Sequence, residues 1–256
     1  MRLSGEKILV TGSTAGIGKH IALMCAREGA HVAVHGRNQQ RGEAVVDAIG
    51  KAGGRGIFLS ADLSEDRACG QLVAAAAEKL GGLTGLVNNA AADAIGTRKL
   101  FAEEDSEHWM SVLQGTLTSA ALLSRDALRH MLQAGHGSIV NISSRQAERI
   151  SPGFGAYAAA KGGLNALTRA IAVDYGRKGI RCNALSVGYV VNEVRDAGMS
   201  AERRAEIEAM HLTRPGHPDD IAYAAVFLLS RESEFITGAL IPVDGGATIA
   251  RGKVLG

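Results

Sequence analysis

Seven short apolar runs recur along the chain, and between most of them lies a stretch with helical periodicity. They are KILVT (7–11), HVAVHG (31–36), GIFLSADL (56–63), LTGLVNNAA (83–91), GSIVNISS (137–144), IRCNALSV (180–187) and ALIPVDGG (239–246). The runs are continuously apolar rather than alternating, the pattern of strands buried on both faces. In the first intervening stretch Ile17, Ile21, Met24 and Cys25 recur at helical spacing, with Gly29 as the stop. Further helices are expected at about 40–52, 65–80, 106–133, 156–178 and 218–230. Strand–helix alternation of this kind predicts an α/β fold: a doubly wound, Rossmann-like parallel sheet of about seven strands with helices on both faces.

No linker, repeat or low-complexity tract interrupts the alternation, so residues 1–256 are expected to form a single domain. The polar, turn-rich segment 189–217 follows the sixth strand. Ligands of doubly wound sheets bind beyond the carboxyl ends of the strands, so this segment is the expected lid.

Composition narrows the function. Hydrophobic residues make up 46% and charged residues 21%, enough for a sizeable core. A formal charge of +2, with Arg203-Arg204 flanked by glutamates, argues against a nucleic-acid partner. No apolar run approaches the roughly 18 residues of a membrane span, so no membrane partner and no signal peptide are expected, and the location is expected to be cytoplasmic. Cys25, Cys69 and Cys182 form no CxxC pair and are expected to be packed thiols. The eight histidines show no ligand spacing, so no metal is expected.

TGSTAGIG (11–18) lies between the first strand and first helix, where Gly12, Gly16 and Gly18 permit a tight turn. A helix start there offers unpaired N–H groups and a positive dipole end to a phosphate. Ser13, Thr14 and Ile17 complete the candidate cofactor turn. In VHGRN, Gly36 occupies the place of the carboxylate that would accept from an adenosine ribose, and Arg37 supplies a cation. That combination favours NADP over NAD.

TGSTAGIG, NNAA, NISS, YAAAK and VDGG, in this order and spacing, resemble the short-chain dehydrogenase/reductase family over roughly residues 4–248. The resemblance implies hydride transfer between NAD(P)(H) and a small-molecule carbonyl or alcohol. It implies that Tyr157 and Lys161 are catalytic, that Ser144, thirteen residues before the tyrosine, is the catalytic serine, and that Asn88 is structural. Asp62 and Leu63 would lie near the adenine, and Asn89 and Ala90, with Tyr157 and Lys161, along the cofactor. A homo-tetramer or dimer is implied as well, with the helices at 106–133 and 156–178 at the interface and an apolar stripe of Leu164, Leu167 and Ile171; the same stripe would equally face the sheet.

The chemistry also follows from the residues. A free phenol holds its proton to about pH 10. An opposite charge within ~4–6 Å lowers that affinity, and Lys161, one helical turn away, is expected to do so. Ser144 would donate to the substrate oxygen as charge develops there.

Several positions depart from the family pattern. Thr116 stands where the resemblance expects an asparagine linked to a helix kink and a water in the proton relay, and has only a hydroxyl to offer. Val187 replaces a proline and Asn192 a threonine, while Gly188 and Val190 remain suited to approach the nicotinamide; Ala91 replaces a glycine. These departures leave an alternative, a nucleotide-binding sensor or scaffold with weak or lost catalysis. Arg145, Gln146, Gly153, Phe154 and residues 189–195 would shape the substrate pocket. Arg145, Arg149 or Arg195 would meet an acidic substrate unless solvated or paired with Glu148 or Glu193.

Overall fold

The computed structural model describes residues 1–92 and 98–250; the last six residues of the expected domain, and the side chains of residues 193 and 194, lie outside the described residues. The chain runs β1 (Lys7–Val10), α1 (Gly16–Arg27), β2 (His31–Gly36), α2 (Gln39–Lys51), β3 (Arg55–Ser60), α3 (Asp66–Leu80) and β4 (Gly85–Asn88). It continues through α4 (Ser106–Leu113), α5 (Ser119–Ala134), β5 (Gly137–Ser144), α6 (Gly155–Tyr175) and β6 (Ile180–Val187). After β6 come α7 (Glu193–Asp196), α8 (Ala201–Ala209), α9 (Pro218–Leu229) and β7 (Leu240–Val243).

All seven strands form one parallel sheet in the order β3-β2-β1-β4-β5-β6-β7. Side-chain alternation divides each strand between two cores. Ile8 and Val10 join Ile21, Val226 and Leu228 on the α1–α9 side, whereas Leu9 joins Leu72, Leu123 and Ile171 on the α3–α5–α6 side. The strand order reverses between β1 and β4, which opens a crevice above their carboxyl ends.

A polar bridge ties the second core to the sheet. Asn88 donates to Ser124 Oγ at 3.0 Å and to Asn141 Oδ1 at 2.8 Å, and Asn141 donates to Thr168 Oγ1 at 2.9 Å. Asn88 is buried. Cys25, Cys69 and Cys182 are free and buried.

One expectation is corrected. The helix expected over 106–133 is broken by a π segment, Gln114–Thr118, with Thr116 at its centre and 1% exposed. A π turn inserts a residue without interrupting apolar periodicity, so the sequence reads as one helix. Of the two placements open to the α6 stripe, Leu164 and Ile171 are buried, Ile171 in the core with Leu72 and Leu123, and Ala156 and Ala160 pack on Val112.

Candidate active site

Sheet register builds one wall of the site. β5 and β6 pair so that Ser144 sits beside Val187 at the carboxyl end of both strands. α6 begins above them and brings Tyr157 and Lys161, one turn apart, over the same strand end. All four residues line a cavity of about 570 Å³.

Burial raises the Tyr157 phenol above its ordinary value, while the neighbouring Ser144 hydroxyl pulls it back. Lys161 is 2% exposed and its ammonium donates to the Ile142 carbonyl at 2.6 Å. Burial alone lowers its pKa to about 8. The expectation that Lys161 holds the phenol below its usual value is therefore not met. The amine is spent on Ile142 and lies 5.5 Å from the Tyr157 ring centroid, so desolvation prevails over attraction.

The glycine turn forms the opposite wall. A Cβ on Gly18 would fall 2.4 Å from the Gly12 carbonyl oxygen, so only glycine lets the helix start this close to the strand end. The turn is stapled from two sides. Asn89 donates to the carbonyls of Thr11 and Gly12 at 2.9 and 3.0 Å, and the Thr11 hydroxyl accepts from the N–H groups of Asn89 and Ala90. On the other side His35 Nδ1 accepts from the Gly12 N–H at 3.1 Å, while its Nε2 faces the Ala61 carbonyl at 3.2 Å. Burial lowers the His35 pKa to about 4, which keeps that ring neutral. Sequence reading missed His35; its one trace was an imidazole inside an otherwise apolar strand.

Ser13 is turned inward rather than to a ligand, donating to the Val10 carbonyl and accepting from His35 N–H. The α1 N-terminus has neither a side-chain cap at Ala15 nor an acid in its first turn, and Gly16 and Ile17 open onto the cavity. An uncapped, positively polarised helix start with a glycine approach fits the pyrophosphate of a dinucleotide. Farther along the crevice, a Cβ on Gly36 would stand 2.5 Å from Thr14 Cγ2, so Thr14 fills the space an acidic side chain would need. The Arg37 side chain is 80% exposed and 3.9 Å from Asp62, whose carboxylate accepts from Ser64. Leu63 is buried next to it.

The segment after β6 closes the third side. Gly188, Val190 and Asn192 line the cavity, together with Met199, Ile207 and Met210. Asn192 Oδ1 caps α7 at the Arg195 N–H, and its Nδ2 faces Gly16. Thr116 does not line the cavity; its hydroxyl accepts from the Ala92 N–H at 3.3 Å. Arg195 pairs with Asp196 at 2.7 Å and lies over the Tyr189 ring; the pairing with Glu193 considered from sequence lies outside the described residues. Arg149 is held by the carbonyls of Ala247, Thr248 and Ala250. At the crevice's outer edge the fold gathers His20, His217 and Asp219, whose polar atoms lie within 4.8 Å of one another. The His20–Asp219 hydrogen bond and the His217 cap on α9 account for them.

Sheet order, glycine turn and the Ser–Tyr–Lys wall define a nucleotide-binding oxidoreductase fold. A family model described as enoyl-(acyl carrier protein) reductase matches residues 12–248. A 3beta-hydroxysteroid dehydrogenase of Mediterraneibacter gnavus is 36% identical, covering 95% of this chain and 95% of its own. The gluconate 5-dehydrogenase of Burkholderia cenocepacia, solved with NADP and tartrate, superposes with a TM-score of 0.91 at 30% identity over 98% of both chains. A 7 alpha-hydroxysteroid dehydrogenase solved with NADH and 7-oxo glycochenodeoxycholic acid gives 0.90 at 32% identity, over 96% of this chain and 95% of that one. The chain belongs to the short-chain dehydrogenase/reductase family of nicotinamide-dependent oxidoreductases.

Proposed function

We propose that this enzyme is an NADP(H)-dependent oxidoreductase that interconverts a carbonyl compound and a secondary alcohol, with Tyr157 as general acid and base. The observation that carries this reading is the convergence of Ser144, Tyr157, Lys161 and the uncapped α1 start on one cavity. The same convergence favours catalysis over a sensor or scaffold.

Bound NADP(H) supplies the hydride donor or acceptor and, when oxidised, a positive charge beside the phenol. In the reductive direction Tyr157 passes its hydroxyl proton to the substrate oxygen. Ser144 donates a hydrogen bond to that oxygen and reduces the charge it must carry. Lys161, anchored on Ile142, keeps a cation under the Tyr157 ring and favours the phenolate once the proton has left. Thr116 acts indirectly, by holding Ala92 beside the π segment. Residues 189–217 form the lid, with Asn192 reaching toward Gly16 over the cofactor crevice.

Preference for the phosphorylated cofactor rests on Gly36, where a carboxylate has no room, and on the exposed Arg37 guanidinium. Arg37→Ala is expected to weaken NADPH binding about fivefold to tenfold, the worth of one exposed charge contact, and to leave NADH binding unchanged. Titration of both cofactors against both proteins checks this; equal losses for the two would assign Arg37 no part in the choice. Wild-type affinity for NADPH and NADH, followed by turnover of a carbonyl panel with the tighter cofactor, tests the function itself.

Buried thiols and the lack, among the described residues, of any helix long and apolar enough to cross a membrane support a cytoplasmic enzyme. Met110 on α4 and Val173 on α6, 61% and 82% exposed, are apolar positions that a second copy would cover in the proposed dimer or tetramer.

A further inference from the structure

Sequence reading left three arginines as equal candidates for an acidic ligand, and the structure separates them. Arg195 is neutralised by Asp196, and Arg149 is held by three backbone carbonyls. Arg145 follows Ser144 directly, in the short turn Arg145–Ala147, and lines the cavity half-buried. Among the described residues its guanidinium has no ion pair and no hydrogen-bond partner.

The charged groups near Arg145 do not satisfy it. Arg149 repels it, and Asp244 is committed elsewhere: its two carboxylate oxygens accept from the N–H groups of Gly246 and Thr248 at 2.9 and 2.8 Å. Asp196 is the one carboxylate lining the cavity among the described residues, and it is paired with Arg195. Burial lowers the Arg145 pKa, yet a guanidinium stays charged at any working pH. A partly desolvated, unpaired cation beside the reacting wall is costly until an anion completes it. Phe154 before the tyrosine and Met199, Ile207 and Met210 on the lid give the cavity an apolar part; of the other arginines that line it, Arg98 lies over the Phe154 ring and Arg203 pairs with Glu206.

We propose that Arg145 anchors a carboxylate carried by the substrate, so that the enzyme takes oxo and hydroxy acids with an apolar body in preference to neutral carbonyl compounds. The inference rests on the oxidoreductase reading above and names the substrate class of that site. A planar carboxylate matches the guanidinium fork and pairs with it through two parallel hydrogen bonds. Held there, it fixes the acid with its carbonyl toward Ser144 and Tyr157.

The test compares each acid with its own ester: acetoacetate with ethyl acetoacetate, levulinate with methyl levulinate, and benzoylformate with methyl benzoylformate. Wild-type enzyme with NADPH is expected to favour the acid by about tenfold to hundredfold in kcat/KM, chiefly through KM. Arg145→Gln should collapse that ratio toward one, and Arg145→Lys should restore part of it. Calorimetric binding of benzoylformate, present in the wild type and lost in Arg145→Gln, gives a readout that needs no turnover. It keeps failure of this inference distinct from failure of the oxidoreductase reading, which would show as no NADPH binding and no turnover of any carbonyl. A wild type that favours the esters or treats both alike overturns the proposal. So does an Arg145→Gln variant that loses NADPH affinity while keeping the acid-over-ester ratio. The wild-type ratio decides even where the variant does not fold.

Discussion

Tyr157→Phe is expected to lower kcat by two to four orders of magnitude, the usual contribution of a positioned general acid. The substitution removes one oxygen and leaves a ring of the same shape, packed edge-on to Phe154. In the proposed mechanism its hydroxyl is the proton donor to the substrate oxygen, a role the Ser144 hydroxyl fills only as a hydrogen-bond donor. Ser144 Oγ still accepts from the Gln146 N–H at 3.2 Å, so its own placement does not depend on the phenol. NADPH affinity is therefore expected to change only a few-fold while turnover collapses. Stopped-flow NADPH oxidation with a fixed carbonyl, beside equilibrium cofactor titration, separates the two quantities. Turnover retained at the wild-type level would remove Tyr157 from the mechanism.

Lys161→Met gives the second large effect, in which activity and stability part company. Losing the cation beneath the phenol is expected to lower kcat at least a hundredfold. Stability should respond to pH with a definite sign. In the folded protein Lys161 releases its proton near pH 8, whereas in the unfolded chain it does so near its ordinary value of 10.5. Between those values the unfolded chain binds the additional proton, so raising the pH favours the folded state. Wild-type stability should climb relative to Lys161→Met across that window, by on the order of 3 kcal/mol when complete. Below pH 8 the two proteins should lie closer, because the variant trades a buried charge for an unpaired Ile142 carbonyl. Denaturant titrations of both proteins from pH 7 to 10.5 provide the check; a constant difference over that range would mean that folding leaves the Lys161 pKa at its ordinary value and would overturn the lowered one.

The strands were legible in the sequence because a parallel strand covered on both faces must be apolar at every position, and composition records that directly. That Tyr157 and Lys161 share one helix face was legible because their spacing is one helical turn, whereas Ser144 at the end of β5 was reached only through the family resemblance. Other features depend on relations that spacing does not carry. The π segment at 114–118 preserves the apolar rhythm while it rotates everything after it. The direction of the Tyr157 shift is set by burial, and neither that depth nor the Ile142 carbonyl that ties the Lys161 ammonium is visible in a list of side chains. The Arg195–Asp196 pair, with the guanidinium over the Tyr189 ring, joins two sequence neighbours in a way no spacing rule announces. His35 was missed since its role is to hold backbone, a role that leaves no motif.

One residue's difference in β5 has a consequence for how this sequence can drift. Asn141 and Ser143 share the face turned to α6, where Ser143 donates to Asn165 at 2.6 Å, while Ser144 has the opposite parity and meets the cavity. A single deletion or insertion within 137–144 would exchange the hydroxyl held by Asn165 with the one proposed to meet the substrate, and reverse the polar bridge at Asn141 in the same stroke. Descendants of this chain can therefore change the letters of β5 one at a time with modest penalty, but its length is inherited whole. Natural insertions should collect instead between α6 and β6 or beyond β6, where no strand parity is being counted.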